Sequence, residues 1–484
     1  MKTYLGVDLG TSSLKVVVAR DGMIIDGEHR NYPCAYPEEG WSEQDPNDWL
    51  DAFVGVLATL AKRNDLSLVA GISFCGQMHG LVLLDGQDRV IRPAILWNDN
   101  RATEECAYLN DVIGTDRLVS WTGNIAFTGF MAPKLLWVKR HEPENFMRIR
   151  KIMLPKDYLV YLISGVFASD VSDSSGTLYF NVAGRRWSEP MLSVLGIAKE
   201  QLPTVYDSFQ AIGTVCPAFA ARTGLSLAMK VVVGGGDQAV GAIGTGTVGE
   251  GRMCISLGTS GVVFASSSKY LHVASGSMHS FCHANGGYHV MGVMLSAGGS
   301  LNWWANEILR TDDYPSLMAE CGGAKADGLW FLPYINGERS PINDPHARGC
   351  FQGLNVRHGR GDLTRAVVEG ICFGLCDCFE SMRAIGISCD TARVIGGGAK
   401  SDLWMQMLSD ILGIRLSRID TSEGGAMGAV ILAMTGCGEY ATVEAGCADL
   451  IKDACFFSPD AMAHAAYALK FMKYKAIYRA LKQA

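Results

Sequence analysis

Two β-prone runs open the chain, residues 4–7 and 15–19, on either side of the turn Asp8-Leu9-Gly10-Thr11-Ser12. Their β-branched and aromatic positions predict strands, and Asp21-Gly22 behind the second run predicts a hairpin. Asp45-Pro46 predicts a helix start, with Asp as cap and Pro in the first turn. Leu50, Phe53, Val54, Leu57 and Leu60 follow at helical spacing. Residues 68–74 predict a strand running into Gly76-Gln77-Met78-His79-Gly80, and residues 81–84 a return strand. In the middle, residues 158–163 read as a short helix behind Pro155-Lys156-Asp157. Residues 231–233 read as a strand ending on Gly234-Gly235-Gly236-Asp237, and residues 239–243 begin a helix. A second series then starts: strand 253–257, turn Gly258-Thr259-Ser260-Gly261, strand 262–264. It continues with a long helix over 362–385, whose Gly370 and Gly374 admit another backbone, and a strand at 393–395. The turn Gly396-Gly397-Gly398, a helix over 401–412 and another opened by Gly424-Gly425 follow.

The turns at Gly10-Thr11-Ser12 and Gly258-Thr259-Ser260 lie about half a chain apart, each between two β-runs. Together they predict two domains of one architecture, 1–249 and 250–484, each offering a hairpin phosphate loop to a common cleft. Composition fits this reading. The 484 residues are 48% hydrophobic and 19% charged, a globular balance. The net charge of −7 weighs against a broad nucleic-acid surface, and no apolar run reaches a membrane span. The first residues meet a carboxylate at Asp8 too early for a signal peptide. Fifteen cysteines with no C-x-x-C pair predict the reduced thiols of a cytoplasmic protein. Glycine, at 56 residues, is the unusual figure, and it gathers in the turns.

A Gly-Thr-Ser turn exposes backbone N–H groups and hydroxyls that suit phosphate, although one such turn alone is an ordinary hairpin. Asp8 cannot cradle phosphate itself, but it can hold Mg²⁺, usually through water. Lys15 is a candidate extra cation or a solvated strand end. Asp237 combines a strand, three glycines and a helix start. An Asp there is expected to stay ionised, which suits a base acting on a hydroxyl. The glycines would let a ligand approach the backbone, which exceeds what a cap needs. Gly397 and Gly398 suit either helix–strand packing or a flat surface under a nucleobase. His79, flanked by glycines after a buried strand, is a candidate ligand contact beside Met78. Trp97-Asn98-Asp99 with Arg101 suits a polyhydroxylated ligand, or else is a packed Trp beside a turn. No P-loop occurs. The G-x-G-x-x-G match at Gly244 follows a helical stretch and reads as a connector. H-E-x-x-H, G-x-S-x-G and zinc spacings are absent. The basic C-terminal stretch around Lys470–Lys482 reads as the solvated face of a docked helix.

These motifs in this order resemble the carbohydrate kinases of the FGGY family, nearest to the members that act on D-xylulose. The match adds Trp41-Ser42-Glu43-Gln44-Asp45-Pro46, Leu154-Pro155-Lys156-Asp157-Tyr158 and Gly337-Glu338-Arg339-Ser340-Pro341 to the turns above. The resemblance implies an α/β fold of two actin-like, ribonuclease-H-type domains with a cleft between them, using ATP and Mg²⁺. Carried over by position, Asp237 is the catalytic base, and Asp8 supports catalysis and the metal. Gly10, Thr11, Ser12, Gly258 and Thr259 would line the phosphates, Gly397 and Gly398 adenosine, and Met78, His79, Trp97 and Asp237 the sugar. Gln238 follows Asp237 where those kinases usually carry Asn. The expected partner is a small sugar, with no nucleic acid or membrane, and a homodimer is allowed for. The alternatives are a related kinase for another ketose or polyol, and a non-enzymatic actin-like ATP-binding protein.

Overall fold

A computed structural model describes residues 2–273, 276–419 and 423–482. The first β-runs form an antiparallel meander of β1 (Thr3–Leu9), β2 (Ser13–Arg20) and β3 (Met23–Asn31). β4 (Val69–Gly76) lies parallel to β1, and β5 (Ala211–Thr214), β6 (Lys230–Val232) and β7 (Gly235–Gly236) extend the sheet. The order is β5-β6-β4-β1-β2-β3, with β7 also on β4. Tyr4, Leu5, Val7 and Leu9 are all buried, so β1 is covered on both faces. One cover is α1 (Pro46–Leu60). Asp45 caps it by accepting from the Asn47 N–H at 2.9 Å, and Trp49, Phe53, Val56, Leu57 and Leu60 turn inward. Three further helices of this half matter below: α2 (Met131–His141), α3 (Pro155–Ser164) and α4 (Asp237–Gly244). Lys156 and Asp157 lie inside α3, which starts at Pro155, because Pro at the first helical position gives up no hydrogen bond.

The second half repeats the pattern. β8 (Met253–Leu257), β9 (Gly261–Ser267), β10 (His279–Cys282) and β11 (Tyr288–Met294) are antiparallel neighbours in the order β10-β11-β9-β8. β12 (Thr391–Ile395) and β13 (Arg415–Ile419) continue parallel to β8, and β14 (Asp453–Phe457) closes the edge antiparallel. In both sheets a hairpin strand carries the Gly-Thr turn and then gains a parallel neighbour at its other edge. α5 (Arg360–Ala384) packs under this sheet, where a Cβ on Gly370 would stand 2.2 Å from the Phe331 carbonyl oxygen. α6 (Asp402–Leu412) is capped by Ser401, and α8 (Ala461–Lys482) docks through Tyr467, Tyr474 and Ile477. Among the described residues, no helix is long and apolar enough to cross a membrane.

α7 (Gly424–Cys437) crosses back to the first sheet. Its residues from Ala426 to Thr435 are all buried, as expected of a helix covered on every side. A Cβ on Gly6 of β1 would stand 2.3 Å from the Ala426 carbonyl, and one on Gly428 would stand 1.9 Å from the Val240 carbonyl of α4. The glycines thus set the helices at backbone-contact distance, and any side chain there would force them apart.

Candidate active site

The first Gly-Thr turn joins β1 to β2, and its carbonyls are occupied. Gly10 accepts from the Tyr32 hydroxyl, Thr11 from the Gln44 side-chain amide at 2.6 Å, and Ser12 from the Tyr32 N–H at 3.3 Å. Gln44 is held by Gln77 Nε2 and Trp49 Nε1, each donating to its Oε1 at 3.0 Å. The second turn, between β8 and β9, is built alike. The Gly258 carbonyl accepts from the Gly298 N–H at 2.8 Å, and the Thr259 carbonyl from the N–H groups of Ala297 and Gly299 at 2.9 Å. With carbonyls turned into the protein, each loop leaves hydroxyls and its remaining amides for an anion. A cavity of about 760 Å³ opens beside the second turn, its lining including Gly258, Thr259, Tyr314, Gly397, Gly398 and Trp404. That size suits a drug-sized or nucleotide ligand. A Cβ on Gly397 would meet nothing within 4 Å, whereas one on Gly398 would press on Leu257 and Trp404. The two readings of this glycine turn therefore combine: Gly397 is open backbone, and Gly398 lines the cavity while its Cβ direction is closed by packing.

Asp237 begins α4 directly behind β7. The three glycines before it face protein rather than ligand. A Cβ on Gly234 would stand 2.1 Å from the Phe74 carbonyl oxygen, one on Gly235 2.6 Å from Ser172 Oγ, and one on Gly236 2.9 Å from Met78 Cγ. The expected ligand approach at these glycines is thus corrected to close packing that fixes the base. The expected ionisation of Asp237 is also corrected. Burial, and then the neighbouring Asp8 carboxylate, push it up to about 7, and the bond from Gln238 only partly offsets them. Desolvation outweighs the helix end, whose effect is about 1 kcal/mol. Burial likewise raises Asp8 above the ordinary range, despite its bond with Cys75 and the nearby Lys15. Lys15 itself is ion-paired with Glu423.

His79 has a left-handed backbone, φ 67°, in the turn after β4. Its Nδ1 lies 2.8 Å from the Gly176 carbonyl oxygen, which can only accept, so Nδ1 carries the proton. Burial, helped by the Lys134 and Arg339 charges, depresses the ring to about 3. The ring is therefore neutral and its Nε2 is a bare acceptor. Phe130 stacks on it at 4.7 Å. The fully buried Lys134 of α2 donates to the carbonyls of His79 (2.9 Å) and Gly129 (2.7 Å), which holds the turn against the Phe130 segment. Met78 packs beside Gly236 and Gly176, so the turn and Asp237 are neighbours. Trp97 is 46% exposed, and its Nε1 donates to Thr11 Oγ1 at 2.9 Å, which joins this side to the first phosphate turn.

The buried Asp237 carboxyl, the His79 turn and the first Gly-Thr turn fall within one family model, and the second Gly-Thr turn within another. The model for the N-terminal domain of the FGGY family of carbohydrate kinases matches residues 3–244, and that for its C-terminal domain residues 253–437. The chain belongs to the FGGY family of carbohydrate kinases. It is 41% identical to the xylulose kinase of Escherichia coli, with 99% of each chain covered. A crystal structure of a xyloylose kinase from Brucella ovis shares 37% identity at a TM-score of 0.95, again with 99% of each chain covered. A gluconate kinase from Lactobacillus acidophilus superposes equally well, TM-score 0.95, at 26% identity and with 99% of this chain and 98% of that one covered. The fold of this FGGY kinase is accordingly the two-domain actin-like one.

Part of the expected sugar cluster is structural. Asp99 and Arg101 are buried and pair with each other at 2.8 Å, Arg101 also pairs with Glu43 at 2.6 Å, and its guanidinium lies 3.8 Å over Trp41. Trp97 of that cluster is instead tied to the first Gly-Thr turn through Thr11. Sequence reasoning also missed the support behind Asp237. Buried Lys156 pairs with Asp157 at 2.6 Å and with Asp170 at 3.0 Å. Asp170 accepts from Ser172 Oγ at 2.5 Å, and Ser172 Oγ accepts the Gly236 N–H at 3.2 Å. The Lys156-Asp157 dipeptide belongs to the family motif, and nothing local marks it as interior.

The Asp8–Asp237 pair fits a divalent cation, since the Asp8 carboxylate raises Asp237 and a cation beside both would relieve that repulsion. Among the described residues no three His, Cys, Asp or Glu side chains form a metal cage. A metal here would share its shell with phosphate and water, as Mg²⁺ does.

Proposed function

We propose that this FGGY kinase transfers the γ-phosphoryl group of ATP to the terminal hydroxyl of D-xylulose, giving D-xylulose 5-phosphate. The observation that carries the reaction is Asp237, a carboxyl poised near neutrality beside both Asp8 and the His79 turn. A base with a pKa near the working pH takes a hydroxyl proton most effectively. In this reading Asp237 accepts the sugar's proton as the oxygen attacks the γ-phosphorus. The amides and hydroxyls of Gly10, Thr11, Ser12, Gly258 and Thr259 hold the phosphates, and the backbone at Gly397 and Gly398 lies along adenosine. Asp8 would hold Mg²⁺, which when bound neutralises phosphate charge. Met78 and Trp97 flank the sugar, and His79 Nε2 accepts from one of its hydroxyls. Residues 1–249 and 250–484 form the two lobes in this proposal, and its setting is the cytoplasm. The pentulose is supported by the xylulose kinases among the full-length relatives, while the gluconate kinase neighbour keeps a second sugar in view.

A panel of ketoses, polyols and sugar acids, scored by ADP release, tests this. D-xylulose should give the highest kcat/KM, and Asp237→Asn should lower turnover about 10²–10⁴-fold. Below pH 7 the rate should fall tenfold per pH unit as Asp237 takes a proton, with no second limb from His79. A flat panel would remove the substrate assignment. Binding of ATP with no sugar-dependent ADP release would favour the non-enzymatic reading.

A further inference from the structure

The motif Gly337-Glu338-Arg339-Ser340-Pro341 has no role in the mechanism above, yet it delivers a cation from the second half to the sugar side. The Arg339 guanidinium lies 5.3 Å over the Phe127 ring. Phe127 stands edge-on to Phe130 at 5.5 Å and to His279 at 5.1 Å, and Phe130 is the ring stacked on His79. The backbone around Arg339 is pinned. Its N–H donates to Glu338 Oε1 at 2.8 Å, its carbonyl accepts from Asn343 at 2.6 Å, and the Ser340 N–H donates to the Val293 carbonyl at 2.9 Å. Glu338 Oε1 also accepts the Leu295 N–H. Among the described residues the guanidinium itself makes no hydrogen bond or ion pair, although it is half-buried. A planar fork of five donors left unspent in a desolvated place is built for an acceptor that arrives with a ligand.

The donor and acceptor inventory of the site says which acceptor. Asp237 accepts, and so does His79 Nε2. Trp97 Nε1 is spent on Thr11, and Lys134 is turned to two backbone carbonyls. The sugar hydroxyls therefore find acceptors, and among these groups the donor left for the sugar's own acceptor is Arg339. A 2-ketopentose closes its five-membered ring through the terminal oxygen. For that oxygen to be phosphorylated it must be free, so the reacting sugar is open-chain and carries a bare carbonyl at C2. That carbonyl has lone pairs and no proton. We propose that Arg339 donates to the ketose carbonyl oxygen and so sets the preference for ketose over polyol. The inference rests on the proposed sugar-kinase reading of the His79 turn and adds a ligand contact from the second lobe.

The test uses the whole enzyme with D-xylulose as substrate and xylitol as competitive inhibitor. Arg339→Met should lower kcat/KM for D-xylulose about 10- to 100-fold while the xylitol inhibition constant moves less than about threefold and the KM for ATP holds. Arg339→Lys, which keeps one charged donor, should recover part of the ketose loss. Melting curves of both variants monitor folding, and if Arg339→Met does not fold, the ketose-selective loss must appear in Arg339→Lys. Equal loss for ketose and polyol, or no loss for the ketose, overturns the proposal. His79→Ala is run beside them. If it leaves both constants unchanged, the sugar site is misplaced, and that failure is separate from the Arg339 result.

Discussion

Replacing Asp237 by Asn should stabilise the protein, and by an amount that depends on pH. The folded carboxyl sits at about 7 against an ordinary 3.8. Between those values the folded state keeps a proton that the unfolded chain has lost. Folding then binds a proton, so stability falls as pH rises through this window and levels above about pH 7. At about 1.4 kcal/mol per pH unit the full cost reaches ~4 kcal/mol, and roughly half of that if water screens the half-buried carboxyl. Asn carries no charge and escapes the cost, while the titrating groups too far from Asp237 to sense its charge are shared by the two proteins and cancel in their difference. Urea unfolding in metal-free buffer should therefore show a gap in favour of Asp237→Asn that grows by ~1.5–3 kcal/mol from pH 5 to pH 7.5 and then stays constant. Turnover should fall in the same variant if, as proposed, the charge that destabilises the fold is the one catalysis uses. A gap that is the same at every pH would mean that Asp237 ionises normally, and the argument from burial and from Asp8 would fail.

Two further substitutions separate the two ends of the site. Gly397→Val points a side chain into open space in the second-lobe cavity, so KM for ATP should rise about tenfold or more while sugar KM and the melting temperature hold; steady-state kinetics with each substrate varied in turn would show it. Lys134→Met keeps the length of the chain but frees the carbonyls of His79 and Gly129, so KM for the sugar should rise about 10- to 100-fold, ATP KM should not move, and an unchanged sugar KM would make Lys134 mere filling.

Residues with local signals were legible in the sequence. The turns at Gly10 and Gly258 combine β-branched runs with glycine and hydroxyls, and both fold as hairpin turns in matching sheets. Asp45-Pro46 specifies a helix start within two residues, and it is one. Asp237 stood out by its glycines, yet their purpose was misread. Their neighbours are Phe74, Ser172 and Met78, remote in sequence, and no local pattern names them. The same holds for charge. Nothing local marks Lys134 and Lys156 as interior, and Arg101, grouped with a ligand cluster, is buried as well; Lys and Arg are rarely interior unless paired. Their partners are the carbonyls of His79 and Gly129, Asp157 and Asp170, and Asp99 and Glu43. α7 shows a middle case. A segment apolar on every side announces that it is buried, but not that it crosses to the sheet of the other half.

That crossing bears on how the site works as a unit. A Cβ on Gly425, in the first turn of α7, would stand 2.7 Å from Asp8 Oδ2, so the helix encoded in the second half begins against a carboxylate of the first. The first half supplies mostly acceptors: Asp8, Asp237 and His79 Nε2. The second supplies donors: the amides around Thr259 and, in our proposal, Arg339. Phosphoryl transfer needs both, since the attacking hydroxyl must lose a proton while the transferring group gains stabilisation for its spread charge. Neither half alone carries that complement. In our proposal a chain with net charge −7 handles anionic phosphate through positive potential placed locally, as turn amides and the Arg339 guanidinium.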